Sequence, residues 1–218
     1  RSRGLGDVYK RQILVSVIVS SVTTLIAVTV GSLAAYAFSR FQIRGADSLK
    51  FWVLSFRFLP PIAIALPLFM IYKNLGLIDT LQGLILIYLT FTLPFAVWLL
   101  DSFFRELPRE IEESAQIDGC SVLGTLFRIV YPLSAPALAT TAIFCFLMCW
   151  NEFLLALMFT RGATMTVMVS FGNYVQPYRV AWGELCAAAI ICMLPTFVIV
   201  SRLQKQIVRG LTLGALKG

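Results

Sequence analysis

Histidine is absent from all 218 residues. That removes H-E-x-x-H metalloprotease chemistry and any hydrolase that depends on a histidine base. No G-x-x-x-x-G-K-S/T string occurs either, so the chain has no phosphate-cradling loop with which to hold ATP. Its cysteines include no C-x-x-C pair. Cys145, Cys149, Cys186 and Cys192 fall in apolar runs and Cys120 in a polar one, which reads as small packing residues and not as metal ligands or a disulfide framework. Charge is scarce, with Asp, Glu, Lys and Arg together making up 13% of the chain. The net charge of +7 comes from scattered basic residues, a distribution that suits anionic lipid and argues against a nucleic-acid groove. Internal repeats and low-complexity tracts are also missing.

What the chain has in quantity is apolar surface: 59% of residues are hydrophobic and the mean hydropathy is +0.85. A bilayer core of about 30 Å takes roughly 20 apolar residues as a helix. Five stretches approach that length. Residues 13–38, 81–100 and 133–150 carry no charge, and 51–72 carries only Arg57, followed by the helix-breaking pair Pro60 and Pro61. The fifth, 185–200, is shorter and can be completed by Trp182, Gly183 and Ser201. Because a helix satisfies its own backbone in lipid and an open sheet does not, the expectation is an all-α, polytopic transmembrane bundle with five spans.

Lys and Arg near the span ends set the orientation. One set of connections holds Arg40, Arg44, Lys50, Arg105, Arg109, Arg128, Arg202, Lys205, Arg209 and Lys217; the alternate set holds Lys73, Arg161 and Arg179. The first set, with the C-terminus, is therefore assigned to the cytoplasm. An odd number of spans then puts residues 1–12 outside, although they contain Arg1, Arg3, Lys10 and Arg11. Charged and without helical periodicity, 1–12 reads either as a leader foreign to the protein proper or as the basic external tail of a five-helix protein. Residues 13–203 read as the membrane domain, with a cytoplasmic loop at 105–132, and 204–218 as a cytoplasmic tail.

The loop at 105–132 is the most informative segment. Leu107-Pro108 opens it, and Glu110, Glu112 and Glu113 follow in turns where the positive end of a helix dipole favours acids. A short helix is expected over about 108–117, ended by Asp118-Gly119, where glycine tolerates backbone angles that other residues avoid. Ser121 is placed to cap a second short helix, over about 122–130, presenting Leu123, Leu126 and Phe127 until Pro132 stops it. A merely solvated connection has no use for those apolar residues; exposed, they mean a partner.

The string Glu113-Ser-Ala-Gln-Ile-Asp-Gly119 with Ile129-Val-Tyr-Pro132 resembles the EAA loop of ABC importer permeases. The tail, Val208 to Gly218, resembles the ending of permeases from binding-protein-dependent sugar importers, the maltose-type second permease subunit in particular. Ala34-Ala-Tyr-Ala-Phe-Ser-Arg40, Leu75-Gly-Leu-Ile-Asp-Thr80, Leu93-Pro-Phe95 and Trp150-Asn-Glu-Phe153 extend the likeness over nearly the whole chain. Ser114 replaces the first alanine of the pattern, and Tyr131 replaces the leucine before Pro132.

The resemblance implies the type I importer permease fold, usually with one further N-terminal helix. It also implies three kinds of partner: ABC ATPase subunits, a second permease subunit and an extracytoplasmic solute-binding protein. ATP would be used by the ATPase, with no cofactor and no catalytic set in this chain, and a carbohydrate would be moved across the cytoplasmic membrane by alternating access. The ATPase-coupling residues it implies are Glu112, Glu113, Ala115, Asp118, Gly119, Leu123, Phe127, Arg128 and Pro132. In the tail, Arg209, Gly210, Thr212 and Gly214 form either an ATPase contact or a frayed end.

Candidates for the translocation path come from polar residues in apolar surroundings, which are functional by default. Asn151 and Glu152 either line the path or sit at the outer boundary. Arg57 either pairs within the bundle or snorkels to the headgroups. Tyr174, Tyr178 and Trp182 lie in an outer loop and form either a binding-protein contact or an interfacial aromatic belt. Two other readings stay open at this point: an ion-coupled secondary carrier, for which only Glu152 qualifies as an intramembrane acid, and an ABC importer for a non-sugar polar solute such as glycerol phosphate.

Overall fold

The computed structural model describes residues 2–55, 58, 60–176 and 179–213. The chain opens with the long helix α1 (Ser2–Arg40). Next come α2 (Ala46–Ser55), α3 (Pro61–Asn74) and α4 (Leu81–Glu106). Between α4 and the next long helix lie α5 (Arg109–Ile117), α6 (Val122–Thr125), a π-helical turn at Leu126–Val130, and α7 (Tyr131–Leu133). Then follow α8 (Ala135–Trp150), α9 (Leu154–Phe159) and α10 (Val167–Ser170). A short antiparallel ladder pairs β1 (Val175–Gln176) with β2 (Arg179–Val180), and α11 (Trp182–Leu213) ends the described chain.

The fold is an all-α membrane bundle in which α1 packs along α4 and α8, and α11 packs on α8. Lipid tails are as apolar as the helices, so close packing rather than hydrophobic transfer holds such helices together, and small residues make close packing possible. Gly31 of α1 shows this directly, since a Cβ added there would stand 2.8 Å from the Cβ of Ala96 on α4. Ala27, Ala96 and Cys145 then bring α1, α4 and α8 into one dry contact. Trp150 is buried at the end of α8, stacked on Phe146, and its Nε1 donates to the Cys192 carbonyl of α11 at 3.2 Å.

Among the described residues, three helices are long and apolar enough to cross a membrane: Tyr9–Arg40, Leu81–Glu106 and Leu185–Arg202. The pair Val122–Leu133 and Ala135–Trp150 passes the same test together, bent by 80° at Ser134. The expected span at 51–72 is not one helix, because α2 ends at Ser55 and α3 begins at Pro61 after Pro60 in extended geometry (ψ 123°). A residue that precedes proline is pushed out of the helical region, and Pro60 itself precedes Pro61. At the other end, the segment that lacks helical periodicity is nonetheless helical from Ser2, continuous with the apolar part of α1. Gln12 donates from Nε2 to Met165 Sδ at 3.6 Å, and Tyr9 stacks on Tyr174 with ring centres 6.1 Å apart.

Candidate functional site

The loop between α4 and α8 is held to the bundle by α1. α5 begins after Leu107 and Pro108, both extended, so Pro108 caps the helix instead of forming its first residue. Two acids, Glu110 and Glu112, occupy the first turn, where the helix dipole favours them. Glu112 then turns inward. Its Oε1 accepts from Arg40 Nε and lies 2.7 Å from Arg40 Nη2, and its Oε2 accepts from the Tyr36 hydroxyl at 2.8 Å. Arg40 Nη2 also donates to the Leu107 carbonyl at 3.2 Å, and Arg109 Nη2 to the Ser39 carbonyl at 3.1 Å. Both charges of the pair are buried and each is hydrogen-bonded more than once, the condition under which a buried pair holds a fixed geometry. Beside it, a cavity of about 200 Å³ opens between the end of α1 and α5, lined by Phe41, Arg109, Glu112, Glu113 and Gln116 among others.

α5 ends as the sequence suggests. Gly119 has φ +89°, its N–H bonds to the Gln116 carbonyl, and the Cys120 N–H reaches back to the Ala115 carbonyl, both at 3.0 Å. That is a Schellman closure, which needs a left-handed residue at this position. Ser121 Oγ then accepts from the Gly124 N–H at 3.1 Å and starts α6.

The π turn follows, with the Tyr131 N–H bonded to the Leu126 carbonyl five residues back. Helix therefore passes through Pro132 and stops only at Ser134, two residues beyond the expected end. Such π turns recur at functional sites.

Of the expected coupling residues, Glu113, Asp118, Gly119, Leu123, Phe127, Arg128 and Pro132 are at the surface. Leu123 is 60% and Phe127 52% exposed. Glu112 and Ala115 are buried against the bundle, so they anchor the loop and do not face outward. Leu126, expected among the presented apolar residues, is fully buried with Val130 against Ala35, Tyr36, Leu100 and Phe104. Four residues separate Leu126 from Val130, which puts both on the inner face. Ile117, absent from the expected set, is the most exposed large apolar side chain of the loop at 86%. Sequence reasoning also missed Tyr36, Arg40 and Ser32 as functional candidates. The available signal was their spacing, i, i+4 and i+8 on one stripe of an apolar helix.

The end of α4 away from that loop is organised by Asp79, also missed. It is non-glycine with φ +56°, just before α4. Its carboxylate accepts from the backbone N–H groups of Arg161, Ala163 and Thr164 and from Thr164 Oγ1, at 2.7 to 3.1 Å, while its own N–H donates to the Phe159 carbonyl. Burial works to raise its pKa, but these donors to the charged form outweigh burial and hold it below the ordinary carboxylate value.

Glu152 spends both carboxylate oxygens on the start of α9, accepting from the N–H groups of Leu155 and Ala156 at 3.0 Å each. Asn151 is exposed, and its Nδ2 donates to the Leu147 carbonyl at 2.8 Å. It lines an open, mostly apolar cavity of about 480 Å³ with Met168, Phe171, Met193, Thr196 and Phe197. Trp182 is exposed at the start of α11, while Tyr174 is half-buried. Arg57, Tyr178 and Gly214 lie outside the described residues, and of Arg209, Gly210 and Thr212 the structure describes only the helical backbone at the end of α11. Among the described residues no group of Cys, Asp and Glu is gathered to hold a metal.

A bundle of apolar helices carrying one anchored, glycine-hinged loop with an apolar outer face is the architecture of a membrane transport subunit. Residues 27–213 match the family described as "Binding-protein-dependent transport system inner membrane component", and the chain belongs to that family. It is 41% identical over 93% of its length to 74% of the trehalose/maltose transport system permease protein MalG of Thermococcus litoralis. It is 39% identical over 98% of its length to 79% of the trehalose transport system permease protein SugB of Mycobacterium tuberculosis.

Two solved structures share the fold. One is a bacterial ABC transporter involved in the import of the acidic polysaccharide alginate (TM-score 0.75, 22% identity, 91% of this chain and 75% of that one). The other is the MetNI methionine ABC transporter in inward-facing conformations (TM-score 0.74, 14% identity, 96% and 99%). The fold is therefore the type I importer permease bundle, and the chain is a multi-pass inner-membrane component of a binding-protein-dependent transport system.

Proposed function

We propose that this permease subunit moves a carbohydrate of disaccharide size across the cytoplasmic membrane, driven by ATP hydrolysis in a separate ATPase. The observation that carries the ATP coupling is the anchored loop: Glu112 fixed to α1, Gly119 as hinge, and Ile117, Leu123 and Phe127 exposed where lipid-facing helices have ended. Those three side chains form an apolar knob for the ATPase, with Glu113, Asp118 and Arg128 as its polar surround. Carbohydrate as the substrate class rests on the relatives named for trehalose and maltose.

In this reading the loop and the C-terminus face the cytoplasm, which the excess of basic residues in those connections supports. A second permease subunit completes the path, and α11 offers a surface for it, since only 11% of its apolar window is buried. The cavity beside Asn151 opens on the same helix and is the candidate path lining. Trp182 and Tyr174, on the opposite side from the loop, would contact the solute-binding protein. Arg209, Gly210 and Thr212 would add an ATPase contact from the helical end of α11. The chain itself contributes a lever and a lined path, and bond-making chemistry stays with the ATPase.

Uptake of labelled trehalose, maltose and glycerol phosphate into cells lacking the endogenous permease tests the substrate class. Disaccharide uptake restored by the chain and its cognate subunits is the expected result; uptake of glycerol phosphate alone replaces the sugar reading with the polar-solute one.

A further inference from the structure

The face of α1 that carries Ser32, Tyr36 and Arg40 touches the loop at both of its ends. Tyr36 and Arg40 hold Glu112 on α5. One turn further into the bundle, Ser32 Oγ lies 2.6 Å from the Tyr131 hydroxyl, across 99 residues of sequence. Tyr131 is where the resembled loop pattern has leucine, which has no hydroxyl to offer Ser32. Its ring packs edge-on against Phe127, with centres 5.0 Å apart and planes at 72°. Phe127 is half exposed on the outer face of the loop, whereas Ser32 is buried in the bundle. A continuous path of contact therefore runs from the exposed knob, through Phe127 and Tyr131, to the interior of α1. The π turn that delivers Tyr131 gives this segment a hydrogen-bond register that differs from the helices on either side.

We infer that Ser32, Tyr36 and Arg40 make α1 the rod that receives the loop's movement, with Tyr131 reading Phe127 and Glu112 reading α5. These are positioning residues: none of them lies at the apolar knob or beside Asn151. The inference rests on the importer reading above and assigns within it the connection between the docked loop and the long helix that packs along α4 and α8. A rigid two-point attachment passes on both translation and tilt, whereas a single contact lets the loop pivot. Letting go of the buried ion pair leaves charged groups unpaired in a water-poor setting, whereas letting go of the other attachment takes from the Tyr131 hydroxyl its contact with Ser32, whose Oγ still donates to the Thr29 carbonyl at 2.9 Å.

The test uses the full chain co-purified with its cognate second permease and ATPase, reconstituted in proteoliposomes with the binding protein and a labelled disaccharide. ATP hydrolysed and solute imported are measured in the same vesicles. Tyr131→Phe and Ser32→Ala each remove one hydroxyl and keep the packing; Arg40→Glu, Glu112→Arg and their combination break and rebuild the pair. The rod predicts ATP hydrolysis near the unmutated rate in the two hydroxyl variants, and solute imported per ATP reduced by about fivefold or more in these and, among the complexes that still assemble, in the single charge variants. It also predicts partial recovery in the charge-swapped pair.

An unchanged import-to-hydrolysis ratio in Tyr131→Phe, Ser32→Ala and the single charge variants overturns the rod alone. Both activities falling in proportion in the hydroxyl variants also overturns it, since that marks a structural defect. No ATP-driven import by the unmutated complex overturns the importer reading, and the rod with it.

Discussion

Arg40 and Glu112, 72 residues apart in sequence, meet at 2.7 Å with both side chains almost withdrawn from solvent. One belongs to the last turn of α1 and the other to the first turn of α5, so the pair joins a membrane helix to the loop that leaves the membrane. Removing one partner from such a pair strands the other charge. Glu112→Ala is expected to cost about 3 to 5 kcal/mol, read as a lower midpoint of thermal unfolding in detergent. The double variant Arg40→Met with Glu112→Leu should regain most of that loss while remaining deficient in coupling.

Gly119 stands in open space, with no atom within 4 Å of the position a Cβ would take, yet its φ of +89° suits no ordinary side chain. Substitution there is penalised by backbone strain and not by a clash, at about 1 to 3 kcal/mol confined to the hinge. Gly119→Arg and Gly119→Val should insert normally and lose transport, while Gly119→Asn, the side chain that best tolerates left-handed geometry, should retain more. Equal activity of Gly119→Val and Gly119→Asn in uptake assays would remove the hinge from the account.

Gly31 makes the opposite case, because space is what it lacks. A Cβ would stand 2.8 Å from that of Ala96, so Gly31→Ala should cost about 1 to 3 kcal/mol as α1 and α4 separate. Gly31→Leu should reduce the yield of folded protein. Pairing Gly31→Ala with Ala96→Gly should recover stability, measured by thermal melting.

Asp79 predicts a pH response at the end of α4 away from the α5 loop. Its pKa in the folded chain is depressed by the donors from residues 161–164, so its contribution is fully present above the unfolded carboxyl value of about 3.9 and is lost as pH falls through the lower folded value. Hydrogen exchange at the amides of Arg161, Ala163 and Thr164, taken relative to the intrinsic rate at each pH, should be slow at neutral pH and quicken below about pH 4. In Asp79→Asn it should be fast throughout; protection unchanged in that variant would dissociate the loop from Asp79.

The long apolar helices α1, α4 and α11 were legible in the sequence because a span of uncharged residues has few alternatives in lipid. The two loop helices, the glycine closure and the Ser121 cap were equally legible, since each depends on residues within four positions of one another. What escaped depends on distant partners. Glu112 belongs to the same acidic run as Glu113, and nothing local says that it folds inward; Arg40 and Tyr36 decide that from another helix. Leu126 and Leu123 look alike in sequence, but one faces Phe104 and the other solvent. Pro132 reads as a stop, whereas a π turn carries the helix through it. Asp79 sat in a recognised string without a role, because its donors come from the loop after α9.

In the proposed function, ATP hydrolysis in a partner subunit drives this permease through the loop between α4 and α8. The most direct measurement is disaccharide accumulation in proteoliposomes holding the complete complex, with ATP or a proton gradient supplied separately, for the unmutated chain and for Leu123→Glu with Phe127→Glu. The expected result is accumulation with ATP alone, none with the gradient alone, and loss of both ATPase binding and uptake in the variant. Accumulation driven by the gradient without ATP, or full ATP-driven uptake by the variant, would contradict it.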